Sequence, residues 1–382
     1  MSDSEDNKEN IMVTTRTSLI AICAGLAITL LSACGHSDGS APNSAAARAD
    51  QASVPPQPAG GEGCAGVYGN PPFESAPSLQ GVAASLYPVE LSCPLKGGEY
   101  LSWEDAMGTP REACLQIPDH ASPEQPLPLL VFLHGSLFPG DPQTLLSGMD
   151  LDYRSADLSG DPNRPGFILL MVEGRDKPHH YPFPDDHAWG YDNWYRNLDR
   201  SDPAINVDVA TVDHFMSEVL NRDLVDRQRI FMSGWSNGAA MAILYALNTP
   251  GIAATAVYSN PDPFTDVEDP CAQAPFGNNL RPIMTLHNDC DIIGICTTGS
   301  VGMSERFAET LPGLELESVI LSASGEDTDS CVARCEYSSE QPLGLLSEGA
   351  LRHLIWPQSR NEQMYAFLRE RALPANAEDS AP

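Results

Sequence analysis

The sequence predicts an α/β fold with a mostly parallel, doubly wound sheet and helices on both faces. Three observations predict it. Short continuous apolar runs, at residues 127–133 and 167–172, read as strands buried on both faces of a parallel sheet. Segments with helical spacing lie between such runs, and strand alternating with helix builds parallel crossover units. The third observation is residues 229–247, an apolar run that enters Gly234-Trp235-Ser236-Asn237-Gly238 and leaves as a helix-forming run.

In chain order, residues 1–34 read as a lipoprotein signal peptide. Ser18 to Leu31 is an apolar run too short to span a bilayer comfortably, with Arg16 before it and small residues after it. Leu31-Ser32-Ala33-Cys34 resembles the lipobox of bacterial lipoproteins, and the resemblance implies that Cys34 is lipidated. Gly35 rather than aspartate follows, which by the same resemblance favours the outer membrane. The acidic residues 1–10 are unusual for a signal, and Met12 would open a more ordinary one. Residues 35–63 are rich in Ser, Ala, Pro and Gly and read as a flexible tether, because such a segment buries too little surface to offset its ordering entropy. Residues 64–373 form the expected catalytic domain, and 374–382 a polar tail.

Eight cysteines remain after Cys23 in the apolar run and Cys34, and an even set behind an export signal reads as a disulfide-stabilised domain. Expected are local closure of Cys290 with Cys296 or of Cys331 with Cys335, and long bridges from Cys64, Cys93 and Cys114. Residues 111–118 alternate as an early strand. Residues 127–133 end in His134-Gly135-Ser136, where His134 reads as packing under the following loop rather than as a catalytic base. Residues 206–220 place Val209, Val212, Phe215, Met216, Val219 and Leu220 on one helical stripe, with Asn206 or Asp208 as its cap. His214 beside that stripe reads as structural. Residues 252–258, 281–291 and 315–321 supply the remaining strands, and residues 361–373 a closing amphipathic helix.

The pentapeptide at 234–238 has the strand-turn-helix setting of a nucleophile elbow. Its serine occupies a strained turn, its glycines avoid Cβ clashes, and the helix start aims amides at a reacting carbonyl. Ser236 is therefore the candidate nucleophile, and the Asn237 N–H a candidate oxyanion donor. The strand read over 281–291 ends in a polar corner with two carboxylates, Asp289 and Asp291, where the acid belongs in the order serine, acid, histidine. His353 is the only histidine downstream of the last strand and is the candidate base. The second oxyanion amide is assigned to Ser136, with Leu137 as the neighbouring alternative. The aromatic stretch 177–195 offers Trp189, Trp194 and Tyr195, together with Trp235 of the elbow, as a substrate platform.

With those residues in place, the chain resembles the esterase family of secreted polyhydroxybutyrate depolymerases and their feruloyl and acetylxylan esterase relatives, within the α/β-hydrolase fold. The matching pieces are Leu133-His134-Gly135, Asn193-Trp194-Tyr195, residues 225–230, the elbow, Leu286-His287 through Asp291, and His353 followed by Trp356-Pro357. In that family the acid stands four places after the histidine that ends its strand, which implies Asp291. The resemblance implies a carboxylic ester hydrolase with a Ser236-His353-Asp291 triad. Its expected substrate is a hydroxyalkanoate polyester or oligomer, with feruloyl or acetyl esters of plant polysaccharide as the alternative. A surface binding protein on a decayed hydrolase fold is the non-enzymatic alternative; all three triad residue types in the expected order argue against it.

Composition narrows the partners. A net charge of −31 disfavours nucleic acid, which needs a basic footprint. The acidic surface reads as solubility chemistry. His179, His180, Asp185, Asp186 and His187 lack the register to converge on a metal, and the acidic loop at 262–269 reads as a solvated charge run, so no metal or cofactor is expected. The expected partners are an ester substrate and, through the lipid anchor alone, a membrane; the expected location is extracytoplasmic.

Overall fold

The computed structural model describes residues 88–106, 108, 110–135, 140–174, 194, 198, 200, 207–261, 263, 277–289, 291, 300–321 and 352–374. The segments read as signal peptide, with Cys34, and as tether lie outside these residues, as does the expected tail apart from residue 374. The first described elements are α1 (Val89–Leu95), β1 (Glu99–Glu104), β2 (Pro110–Gln116), β3 (Leu127–Leu133), α2 (Gly140–Ser147), α3 (Met149–Asp152) and β4 (Ile168–Val172). There follow α4 (Val207–Leu220), β5 (Val225–Trp235), α5 (Asn237–Asn248), β6 (Ala254–Tyr258), β7 (Ile283–Asn288), α6 (Ser300–Thr310), β8 (Leu316–Leu321) and α7 (Asn361–Arg369).

The strands form one eight-stranded sheet in the order β1-β2-β4-β3-β5-β6-β7-β8. Only β2 pairs antiparallel, with β1 on one side and β4 on the other; the pairs from β4 through β8 are parallel. This is the α/β-hydrolase fold. Burial explains why the central strands read as unbroken apolar runs. Leu127, Leu129, Val131 and Leu133 of β3 enter one core cluster, and Leu130 and Phe132 enter the other. Each fully buried side chain of this kind contributes about 2 kcal/mol, so the sheet needs apolar residues on both faces.

The α4 stripe packs into the first cluster, with Val209, Val212, Phe215, Met216, Val219 and Leu220 all buried. Asp208 lies inside the first turn of α4 and is buried, so it does not cap the helix; Asn206 lies outside the described residues. On the opposite face α7 contributes Met364, Tyr365, Phe367 and Leu368 to the second cluster. His214 stacks on Trp103 with ring centroids 4.3 Å apart, which is a packing role. Among the described residues no helix is long and apolar enough to cross a membrane.

The disulfide expectation needs one correction. Cys93 of α1 is bonded to Cys114 of β2, 21 residues on, so two of the three amino-terminal cysteines pair with each other. The reason is local: α1 folds back over the β1–β2 hairpin and brings both sulfurs into the second core cluster. Gly98, at the turn between α1 and β1, is hemmed in by that bond. A Cβ there would stand 2.6 Å from Cys93 Sγ and 2.7 Å from Cys114 Sγ. The pairings expected for Cys290, Cys296, Cys331 and Cys335 lie outside the described residues.

Closing a loop of this length stabilises the folded chain by about 3 kcal/mol in the chain-entropy picture. Replacing both Cys93 and Cys114 by serine should therefore lower the urea midpoint of unfolding, and reduction of the wild type should do the same. A midpoint unmoved by either treatment would show that the bond does not constrain the unfolded chain.

Candidate active site

The elbow is built by close approach. Ser236 joins β5 to α5 with φ 56° and ψ −122°, a conformation that costs a residue with a Cβ on the order of 1–3 kcal/mol. The turn is closed on both sides by backbone bonds. Ser236 N–H donates to the Tyr258 carbonyl at 3.1 Å, and the Ser236 carbonyl accepts from the Ala239 and Ala240 amides at 3.0 and 3.2 Å. A Cβ on Gly234 would fall 2.6 Å from the Gly238 oxygen, and one on Gly238 would fall 2.2 Å from the carbonyl oxygens of both Leu133 and His134. Any larger residue at either position pushes the first turn of α5 away from the end of β3.

Three distant segments meet at Ser236. His353 Nε2 lies 2.9 Å from Ser236 Oγ, and His353 Nδ1 lies 3.1 Å from Asp291 Oδ1. Asp291 follows β7 and is buried, with its amide donating to the Asn288 carbonyl at 2.9 Å. Of the two carboxylates at that corner, Asp291 is the one that faces the imidazole; Asp289 turns its amide to the Leu321 carbonyl on β8. His287, four residues before Asp291, is buried at the end of β7, and burial holds its imidazole below the ordinary range against the opposing pull of Asp291 and Asp289.

His353 stands on a short helical turn whose backbone is gripped by the sheet. The Trp235 indole N–H donates to the His353 carbonyl at 2.9 Å, and the Tyr258 hydroxyl donates to the Arg352 carbonyl at 2.6 Å. Burial, and secondarily the charge of Asp291, raises the Tyr258 phenol far above its ordinary value, so it stays a donor. Trp235 and Tyr258 meet Trp356 edge-on at 5.6 and 5.4 Å between centroids, and the Trp356 indole N–H donates to Asn361 Oδ1 at 2.7 Å. Aromatic pairs of this geometry are worth about 1 kcal/mol each beyond the area they bury.

This arrangement revises the substrate platform. Trp235 is 5% exposed and spends its indole on the histidine's backbone, and Trp194 is 0% exposed with its N–H on the His134 carbonyl at 2.7 Å. Both rings lie under the site as supports and offer no face to a substrate. Trp189, Tyr195, Ser136 and Leu137 lie outside the described residues. Asn237 is the first residue of α5, where a helix-opening amide is oriented towards an incoming anion.

Gly135, which follows β3, is held by one residue the sequence did not single out and by His134, read from the sequence as packing there. Gln143 of α2 brackets Gly135, accepting from its amide at 2.8 Å and donating to its carbonyl at 3.1 Å. A Cβ on Gly135 would stand 2.9 Å from the Ser236 Cβ, so this loop backbone runs directly beside the serine. His134 packs beneath it, fully buried: its Nδ1 lies 2.9 Å from the Gly135 carbonyl, and its Nε2 accepts the Gly174 amide at 2.9 Å. That pattern assigns the proton to Nδ1 and leaves the ring neutral. Burial pulls its pKa down to about 4, only partly opposed by the bond to Gly135. The Glu173 carboxylate, 3.2 Å from Nε2, is therefore a neighbour of a neutral ring and not an ion-pair partner. Among the described residues no group of three or more His, Cys, Asp or Glu side chains could hold a metal.

No family model matches the chain, and no curated protein matches it. Solved structures similar to it include a thermostable esterase, at 17% identity and a TM-score of 0.44 over 72% of this chain and 63% of that one, less than two thirds of its length. An esterase from Pyrobaculum calidifontis is similar at 14% identity and 0.43 over 77% and 93%. A thermostable esterase from Pseudomonas putida ECU1011 is similar at 14% identity and 0.40 over 75% and 83%.

The buried neutral His134 makes stability depend on pH. Its folded pKa lies below the unfolded value, so the unfolded chain binds more protons in acid. The contribution, about 3 kcal/mol, is complete above about pH 6.5 and is lost as pH falls towards about 4. Urea midpoints measured from pH 7 to pH 4 should fall less steeply in His134→Asn than in wild type. Parallel slopes for the two proteins would contradict the assignment of a neutral ring.

Proposed function

We propose that the protein is a serine esterase, on the observation that Ser236 Oγ, the two ring nitrogens of His353 and Asp291 Oδ1 form one chain of contacts at 2.9 and 3.1 Å. In this reading His353 Nε2 takes the proton of Ser236 as Oγ attacks the ester carbonyl. Charge develops on the carbonyl oxygen, where the amides of Asn237 and Ser136 receive it. The tetrahedral species collapses, His353 returns the proton to the departing alcohol, and a water activated by the same imidazole then releases the acid. Asp291 orients the ring so that Nδ1 keeps its proton and Nε2 stays free to accept.

The proposed substrates are hydroxyalkanoate polyesters or oligomers, supported by the sequence resemblance over the elbow, the His287 to Asp291 corner and the His353 to Pro357 segment. The proposed location is extracytoplasmic, with Cys34 carrying the lipid and residues 35–63 serving as tether. The apolar run from Ser18 to Leu31 and the Leu31-Ser32-Ala33-Cys34 sequence support that placement.

Hydrolysis of p-nitrophenyl acetate and butyrate tests the chemistry. The expected result is turnover by wild type, background rates for Ser236→Ala, and a fall on the order of 10³–10⁴-fold for Asp291→Asn, whose amide favours the wrong imidazole tautomer. A folded wild type that turns over neither ester would overturn the esterase reading in favour of a binding protein. Full activity in Asp291→Asn would move the acid to Asp289. Rates on hydroxybutyrate oligomers above those on methyl ferulate and acetylated xylan are expected, and the reverse order would replace the substrate class.

A further inference from the structure

His353 Nδ1 faces two oxygens, and the nearer one does not belong to the acid. Ser259 Oγ lies 2.5 Å from Nδ1, whereas Asp291 Oδ1 lies at 3.1 Å. Charge-assisted bonds between nitrogen and carboxylate usually close to about 2.7–2.9 Å. Because Nε2 must accept the Ser236 proton, Nδ1 is the protonated nitrogen, and Ser259 Oγ stands as an acceptor beside the carboxylate.

The backbone around Ser259 is arranged to put the hydroxyl there. Ser259 follows β6 directly, is fully buried, and has φ 54°, one of three non-glycine residues with positive φ among those described. Its amide is tied to the Leu286 carbonyl at 2.7 Å, which locks the turn against β7. A glycine would adopt this conformation without penalty, so a serine here keeps a steric cost in exchange for a side chain. The preceding residue, Tyr258, holds the Arg352 carbonyl at 2.6 Å. The last residue of β6 and the one after it thus grip the histidine turn twice, at its backbone and at its ring.

We propose that Ser259 is a positioning residue for His353, sharing the Nδ1 proton with Asp291 and fixing the ring rotation that keeps Nε2 on Ser236. The proposal rests on the triad reading above and deepens it. Ser259 acts on the imidazole and touches no reacting atom. When the ring becomes cationic, two oxygens then share its Nδ1–H, and the angle of the ring no longer depends on Asp291 alone.

Ester hydrolysis by Ser259→Ala and Ser259→Gly tests this. Both should lose about 10- to 100-fold in kcat with KM unchanged within about twofold, the scale of one hydrogen bond to a charged group. Ser259→Gly relieves the positive φ and should melt no lower than wild type, which separates a positioning defect from a folding defect. A carboxylate at the same place should substitute for the acid, so adding Ser259→Asp to Asp291→Asn should recover at least about tenfold of the lost kcat. Proton NMR adds a readout independent of turnover: the low-field Nδ1–H resonance of His353 should shift in Ser259→Ala. Unchanged kcat and an unmoved resonance in both single variants, alongside an inactive Ser236→Ala, would overturn the role of Ser259 and leave the triad standing. Equal activity of Ser236→Ala and wild type would instead sink the triad, and the resonance alone would then decide whether Ser259 holds the ring.

Discussion

The close approach of α5 to the end of β3 is the constraint on which the rest of the site depends. Gly238 lies so near the carbonyls of Leu133 and His134 that no Cβ fits, and neither does one on Gly234 beside the Gly238 backbone. This contact lets the chain reverse within one residue, and that residue is Ser236, held in a conformation it would not choose alone. The energy for the strain comes from the two apolar clusters that clamp β3 and β5 between layers. Because β3 ends at the same point, the backbone at Gly135 lies directly beside the serine, and Gln143, His134 and Trp194 hold residues 134 and 135 in place.

A second constraint governs the histidine. His353 and Ser236 are 117 residues apart, and nothing in the local sequence of either could set a 2.9 Å contact. The sheet sets it, by way of Trp235 and Tyr258. These side chains project from the ends of neighbouring strands β5 and β6 and hold the carbonyls of His353 and Arg352. Trp356 then wedges against both rings and links the histidine turn to α7 through Asn361. His353 is positioned by the same strands that position Ser236. Surface ion pairs such as Arg222 with Glu99 contribute little beside this, about 0–1 kcal/mol in water.

Much of this was legible in the sequence, for definite reasons. Parallel strands buried on two faces leave unbroken apolar runs, and an elbow leaves a Gly-x-Ser-x-Gly between strand and helix, so β3, β4, β6 and the turn at Ser236 could be read directly. His353 was accessible because no other histidine lies downstream of the last strand. The edge was less legible: α1 and β1 are short and half exposed, α1 is cross-linked to β2, and their signal is weak without the bond between Cys93 and Cys114. Trp194 and Trp235 misled because an aromatic ring reads the same whether it lines a site or braces it from below; a hydrogen bond from an indole to a distant carbonyl leaves no trace in spacing. Gln143 and Ser259 were missed for the same reason. Each acts on a partner brought in by tertiary packing, at positions where almost any polar residue would have fitted the local pattern.

The central claim is that Ser236 is a nucleophile activated by His353. Stoichiometric labelling with a fluorophosphonate, followed by peptide mass mapping, tests it without any assumption about the natural substrate. One adduct per chain is expected on the peptide containing Ser236, with no adduct in Ser236→Ala and labelling slowed by orders of magnitude in His353→Ala. A folded protein that resists the reagent, or that carries the adduct on another residue, would contradict it.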